Sequence, residues 1–161
     1  MATSDPNPAA TAPSIPPEPK YWAFISYNHQ DDAWGRWLHR QIENYRVPRR
    51  LVGRPSRDGK VPRRMYPAYR DREELPVSSD LGANIKSCLE RSRYLIVICS
   101  PHAARSAWVT EEVLLFKLTG RENRIMALIV SGEPNAAEKP HLDWPSAFPR
   151  PCVIASRPMA A

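Results

Sequence analysis

The stretch RYLIVICS, residues 93–100, constrains the fold most. From Tyr94 to Cys99 it is apolar without a break, and it is rich in β-branched side chains. A strand turns successive side chains to opposite faces, so a run with no polar member has no face for water. Such a strand belongs inside a parallel sheet covered by helices on both sides. RIMALIVSG, residues 124–132, is another run of this kind.

The rest of the chain supplies the matching pieces. KYWAFISYN (20–28) reads as a buried first strand. Asp31 and Asp32 are expected to open a helix that places Trp34, Leu38, Ile42 and Tyr45 on one face. Residues 46–64 read as a long charged loop. In MYPAYRD (65–71) Pro67 interrupts the pattern, which predicts an edge strand. REELPVSSD (72–80) reads as a loop. LGANIKSCLERS (81–92) predicts a helix with Leu81, Ile85, Cys88 and Leu89 on one side, capped by Ser79 or Asp80. SAWVTEEVLLF (106–116) predicts a further helix, and PCVIAS (151–156) a short last strand after a Pro-rich loop. Strand and helix alternate, so the expected class is α/β with right-handed crossovers.

Residues 1–19 hold six prolines and almost no large apolar side chain. They cannot bury enough surface to offset their ordering entropy, so they are expected to be a disordered tail. The start lacks the pattern of a signal peptide, and nothing later resembles a transmembrane span; a soluble cytoplasmic protein is expected. Cys88, Cys99 and Cys152 lack metal-site spacing and read as reduced core thiols. The net charge is +6, but residues 46–72 carry ten Lys or Arg against two Asp, a local excess of eight. That arm suits phosphate, an acidic partner, an anionic membrane or simply solvent.

The helix at 106–116 poses a question about Glu112. At 100° per residue, Trp108, Val109, Val113, Leu114, Leu115, Phe116 and Leu118 define an apolar direction. Glu112 lies roughly 15° from its centre and Glu111 about 85° away. A carboxylate in an apolar setting must be paired, be protonated or line a cavity. Two readings therefore stand: a salt bridge to an arginine such as Arg105 (or a helix rotated differently from this wheel), or a carboxylate in a cleft beside Trp108. Ligands of open parallel sheets bind past the carboxyl ends of the strands, where strand order reverses. With the order 2-1-3-4-5, Ser26–Asn28, Ser100–Pro101 and residues 71–80 converge there.

Other chemistries are excluded. The six glycines form neither a dinucleotide fingerprint nor a P-loop, and the four histidines lack metal-ligand spacing. No G-x-S-x-G element is present. The basic arm has no regularly interleaved aromatics, so no nucleic-acid partner is expected.

Three segments in order resemble one family. FISYNHQD (24–31) is similar to the first box of Toll/interleukin-1 receptor (TIR) domains. YRDREELPVSSDLGANI (69–85) is similar to their second box and BB loop. SRYLIVICSPHAARSAWVTEEV (92–113) is similar to their third strand and W-x-x-x-E helix. The resemblance runs over about residues 20–155, leaving 156–161 as a tail, and its style is bacterial. It implies a flavodoxin-like three-layer α/β domain with a five-stranded parallel sheet of order 2-1-3-4-5. The family's last helix is expected to be missing or degenerate, since the sequence ends ASRPMAA.

It also implies either of two activities. One is hydrolysis of NAD+ at the nicotinamide–ribose bond in signalling or defence, activated by self-assembly; the protein would act in the cytoplasm or after delivery to a host cell. The other is a non-catalytic adaptor that binds other TIR domains through the BB loop. The family's catalytic glutamate falls on Glu112. Tyr27, Asn28, Asp71, Leu75, Pro76, Ser100 and Trp108 fall on the substrate-binding side, with Tyr27 and Trp108 as ring walls and Leu75 and Pro76 as the lid. Arg70 and Arg72 lie where a pyrophosphate would need cations. NAD+ is then the substrate, with no cofactor and no metal.

Overall fold

The computed structural model describes residues 19–70 and 79–134, apart from the side chains of 79–83. Among these, a four-stranded parallel sheet forms the centre. Its strands are β1 (Tyr21–Ser26), β4 (Ala68–Arg70), β5 (Ser92–Cys99) and β6 (Ile125–Ile129), in the order β4-β1-β5-β6. This is an α/β parallel sheet whose four strands follow 2-1-3-4; the fifth-strand candidate at 151–156 lies outside the described residues. The tail at 1–18 and the terminal residues 156–161 lie outside them as well.

The helices are α1 (Asp32–Asn44), α2 (Ser79–Glu90), the short α3 (Pro101–Arg105) and α4 (Ala107–Leu118). Alternation along the strands sorts the core into two layers. Phe24, Leu95, Val97 and Cys99 face α2 and α4, where they meet Leu89, Val109, Val113 and Phe116. Ile25, Tyr27 and Ile98 face the other way and meet Leu38 and Ile42 of α1. Phe24, Leu95, Ile98 and Phe116 are fully buried. Each contributes about 1.5–3 kcal/mol of hydrophobic stabilisation. Cys88 and Cys99 are buried free thiols; Cys152 lies outside the described residues.

Four expectations change in detail. In α1, Leu38 and Ile42 pack on the sheet, but Trp34 and Tyr45 are exposed. The sheet-facing position next to Trp34 is taken by Gly35, whose missing Cβ admits the Tyr27 ring: a Cβ there would stand 3.0 Å from two ring carbons. Tyr45 is one residue past the helix end. Asp31 precedes α1 without a side-chain capping bond; its carboxylate is used elsewhere, as described below. Residues 46–64 are more ordered than a plain loop. They contain the hairpin β2 (Pro55–Ser56) and β3 (Gly59–Lys60), plus an antiparallel bridge from Arg46 to Arg64. Finally, β6 is less covered than its sequence implies, with Met126 and Ile129 exposed; residues 135–155, which the sequence places next to it, are not described.

The edge position predicted for β4 holds: it pairs only with β1 among the described strands. Its backbone is held by α1, since Glu43 accepts from the Ala68 amide at 3.2 Å and His39 meets the Ala68 carbonyl at 3.2 Å. Among the described residues no helix is long and apolar enough to cross a membrane.

Candidate functional site

The carboxyl ends of β1, β4 and β5 converge, as expected for this topology. Two sets of bonds tie them together. Ser100, just past β5, donates its hydroxyl proton to Asp31 at 2.5 Å. The same oxygen accepts from the amides of His102 and Ala103, which caps α3. Ser100 and Asp31 are both buried, so this bond joins the first and third strands below the surface. The second set centres on Arg70, the last residue of β4. Its guanidinium pairs with Asp32 at 2.5 Å and donates to the Tyr27 hydroxyl at 2.9 Å. That hydroxyl donates in turn to Asp32 at 3.2 Å. Burial raises the Tyr27 pKa most; Arg70 pulls it down and Asp32 pushes it up, leaving it at about 12. Arg70 thus holds a local charge cluster, and its side chain is largely enclosed.

Asn28 accepts the Gln30 amide at 3.0 Å and caps the short 3-10 turn at 29–31. Two residues earlier, at the end of β1, Ser26 is fully buried, and its hydroxyl makes no hydrogen bond.

On the other layer, α4 is capped by Ser106, which accepts the Val109 amide at 3.4 Å. The helix buries Val109, Glu112, Val113 and Phe116, an i, i+3, i+4, i+7 stripe with a carboxylate in it. Glu112 is 5% exposed, whereas Glu111 is exposed. Trp108 is 47% exposed, together with Leu114 and Leu118. The apolar direction read from the sequence therefore located Glu112 but not these three. The helix is apolar nearly all round, so an average direction fixes individual positions poorly.

Trp108, Glu111, Glu112 and Leu115 border a depression of about 50 Å³ with Ile85 and Lys86 of α2. That is room for a few waters, whereas small-molecule sites span roughly 300–1,000 Å³. Lys86 brings a cation to this rim. Sequence reading missed it because an exposed lysine on an amphipathic helix carries no signal of its own.

The residues singled out from the sequence are thus only partly brought together. Glu112 and Trp108 share the depression on the α2–α4 layer. Tyr27 does not: β1 turns its ring into the α1 layer, where it packs under Gly35 and offers no wall beside Trp108. Asn28 and Ser100 sit at the converging strand ends with their side chains committed to caps. Arg70 is committed to Asp32 and Tyr27 rather than free for a pyrophosphate. Asp71, Arg72, Leu75 and Pro76 lie outside the described residues. No cluster of three or more metal-ligating side chains occurs among the described residues.

A parallel α/β sheet with a buried glutamate four residues after a tryptophan defines a narrow class. The sequence matches the TIR domain family over residues 23–150, and the chain belongs to that family. It is similar to the NAD(+) hydrolase ApTIR of Actinoplanes sp., with 31% identity over 119 residues. The match covers 71% of this chain but 14% of that relative, so the chain spans about a seventh of the relative's length. Among solved structures it is similar to the TIR domains of the activated Roq1 resistosome that recognises the pathogen effector XopQ. That likeness has 18% identity and a TM-score of 0.42, over 70% of this chain and 57% of that one.

Proposed function

We propose that the chain is an NAD+ nucleosidase that breaks the nicotinamide–ribose bond with Glu112 as its catalytic carboxylate. The observation that carries this reading is the burial of Glu112 on the apolar stripe of α4, beside Trp108, while Glu111 stays exposed. The similarity to a named NAD+ hydrolase over 119 residues supports it.

The chemistry needs one carboxylate. Nicotinamide is attached as a cationic pyridinium and leaves neutral, so no acid has to protonate it. Positive charge develops on the ribose as an oxocarbenium ion. Glu112 would stabilise that charge and accept hydrogen bonds from ribose hydroxyls. It would then take the proton from the attacking water, whose oxygen bonds to the ribose carbon. Trp108 would flank the ring, with Asn28, Asp71, Leu75, Pro76 and Ser100 on the substrate-binding side. In this reading Tyr27 serves by holding Arg70 rather than by stacking. A cytoplasmic setting, where thiols such as Cys88 and Cys99 stay reduced, belongs to the same proposal. So does a fifth parallel strand at 151–156, which the exposed Met126 and Ile129 of β6 support.

The depression beside Glu112 is too small for a dinucleotide. The site must enlarge before turnover, and self-assembly with other TIR domains through residues 74–80 is the proposed trigger. The same small size favours the second reading, a non-catalytic TIR–TIR adaptor. The test is nicotinamide release by concentrated or artificially clustered protein, with Glu112→Ala and Glu111→Ala alongside. Loss in Glu112→Ala alone supports the enzyme. No release from any of the three, even when clustered, sinks it and leaves the adaptor.

A further inference from the structure

The basic arm is folded into a concave surface near the amino end of the sheet. α1 starts beside the carboxyl end of β1 and runs back along the sheet, so residues 46–64 begin near its amino end. The hairpin tip confirms that position. Asp58 accepts a hydrogen bond from Tyr94, near the start of β5, and pairs at 2.6 Å with Arg124, just before β6. Its carbonyl accepts from Arg93 at 2.8 Å.

Within this segment Arg46, Val47, Arg49, Val52, Arg63 and Arg64 line a cavity of about 440 Å³. That falls within the range of small-molecule sites, roughly 300–1,000 Å³. Four of the six lining residues are arginines. All four arginines are exposed, and none has an ion-pair partner among the described residues. Asp58, the one acid of residues 46–64, is turned away to hold the hairpin against β5 and β6.

The walls are set by backbone bonds rather than by the arginine side chains. The Val47 amide bonds to Arg63 O at 3.1 Å, Gly53 to Val61 O at 2.9 Å, and Val61 to Arg54 O at 2.9 Å. Val47 is buried beneath them. The bridge sets Arg46 directly opposite Arg64. Like charges facing across an antiparallel pair destabilise it. A solvated arm would spread its charges apart, whereas this one gathers them in a concavity with an ordered frame.

We infer that this cavity binds a small polyphosphate, meaning a ligand with two or more linked phosphate groups such as a nucleoside polyphosphate or pyrophosphate. Four guanidiniums match the charge of a di- or triphosphate and give forked donors suited to its oxygens. Val52, half-buried on the lining, adds an apolar side that a nucleoside can cover. An extended nucleic acid would ask for a track of charges with stacking aromatics; here the charges ring one hollow.

Calorimetric titration of the whole chain with pyrophosphate, ATP and orthophosphate tests this, at low and raised salt. Wild type should bind pyrophosphate and ATP at least about tenfold more tightly than orthophosphate, and more weakly as salt rises. The pair Arg49→Glu with Arg63→Glu should lose at least about tenfold in affinity. Arg49→Gln with Arg63→Gln should lose part of it, and serves if charge reversal prevents folding. Glu112→Ala should bind as wild type does, which separates this site from the proposed catalytic one. ATP binding more tightly than pyrophosphate identifies a nucleotide ligand; equal affinity identifies the phosphates as all that is read. Affinity no better than for orthophosphate, or unchanged in folded arginine variants, overturns the proposal. So does a single-stranded oligonucleotide that binds in preference to both small polyphosphates.

Discussion

Tyr27→Phe tests the charge cluster at the strand ends, because the effect should change sign with pH. The substitution keeps the ring under Gly35 and removes a hydroxyl that accepts from Arg70 at 2.9 Å and donates to Asp32 at 3.2 Å. The Arg70–Asp32 pair at 2.5 Å stays. At neutral pH the loss is therefore that of ordinary hydrogen bonding, about 1 kcal/mol.

Alkali adds a second contribution. The Tyr27 pKa is pushed up to about 12 in the folded chain, from an ordinary value of 10.0. A raised folded pKa means the native state holds its proton more tightly than the unfolded chain does. The resulting stability is fully present below the unfolded value and is lost as pH rises through the folded one. By about pH 11 the unfolded phenol is mostly ionised and the folded one is not, which removes about 1.4 kcal/mol. Phenylalanine has no such loss. Urea denaturation of both proteins from about pH 8 to about pH 11 should show wild type ahead at first and level or slightly behind at the end. Taking the difference cancels the other tyrosines. A difference that stays constant over this range would refute the buried, neutral hydroxyl. A difference that widens would mean that Arg70 dominates and favours the phenolate.

Ser100→Ala removes the α3 cap and the proton donated to buried Asp31; a loss of about 2–3 kcal/mol is expected, or roughly 5–10 °C in thermal denaturation. A shift under about 2 °C would show that neither bond matters. Gly35→Ala should destabilise although alanine favours a helix by about 1 kcal/mol, because the new Cβ meets a ring packed in the core, and overpacking costs about 1–3 kcal/mol. Urea midpoints decide it, and a more stable variant would mean the ring can move aside. Burial pushes the Asp58 carboxyl up, but the Tyr94 hydrogen bond and Arg124 outweigh it and hold the pKa below 3.8. That stability is present above the unfolded pKa and is lost as pH falls through the lower folded one. Asp58→Asn should therefore cost about 1–3 kcal/mol near neutrality and progressively less in acid; an equal cost at both would rule out the charged pair.

What could be read from the sequence depended on how local the signal was. The run Tyr94–Cys99 fixed the central strand because an all-apolar strand has one kind of environment. Pro67 fixed the edge because it cannot donate to a ladder. Glu112 was legible because helical geometry links it to Val109, Val113 and Phe116, all within one short segment. The failures are long-range. Gly35 faces the sheet because Tyr27 needs the space, and nothing near Gly35 announces that. Asp31 looked like a helix cap, but its partner is Ser100, which is 69 residues away. The same blindness assigned Arg70 to a ligand and Tyr27 to a ring wall, when the two are bonded to each other. The hairpin at 55–60 was missed because two-residue strands leave no periodic trace.

The arginines show why charge by itself is a poor guide to function in this chain. Counted as charges in the sequence, Arg70 and Arg124 look no different from Arg49 and Arg63. Each of the first two has an enclosed side chain and a carboxylate at bonding distance, and each fastens one end of the sheet. Their favourable energy is already realised in the folded chain, and a ligand could gain little from them without breaking a structural bond. Arg46, Arg49, Arg63 and Arg64 stand differently: they remain exposed around one cavity, on a frame held by backbone bonds. Their mutual repulsion is a cost that an anion removes, and an anion removing it stabilises the folded chain by mass action. The distinction between the two groups rests on partners. It places structural cations at both ends of the sheet, and around the cavity of residues 46–64 four arginines with no ion pair among the described residues.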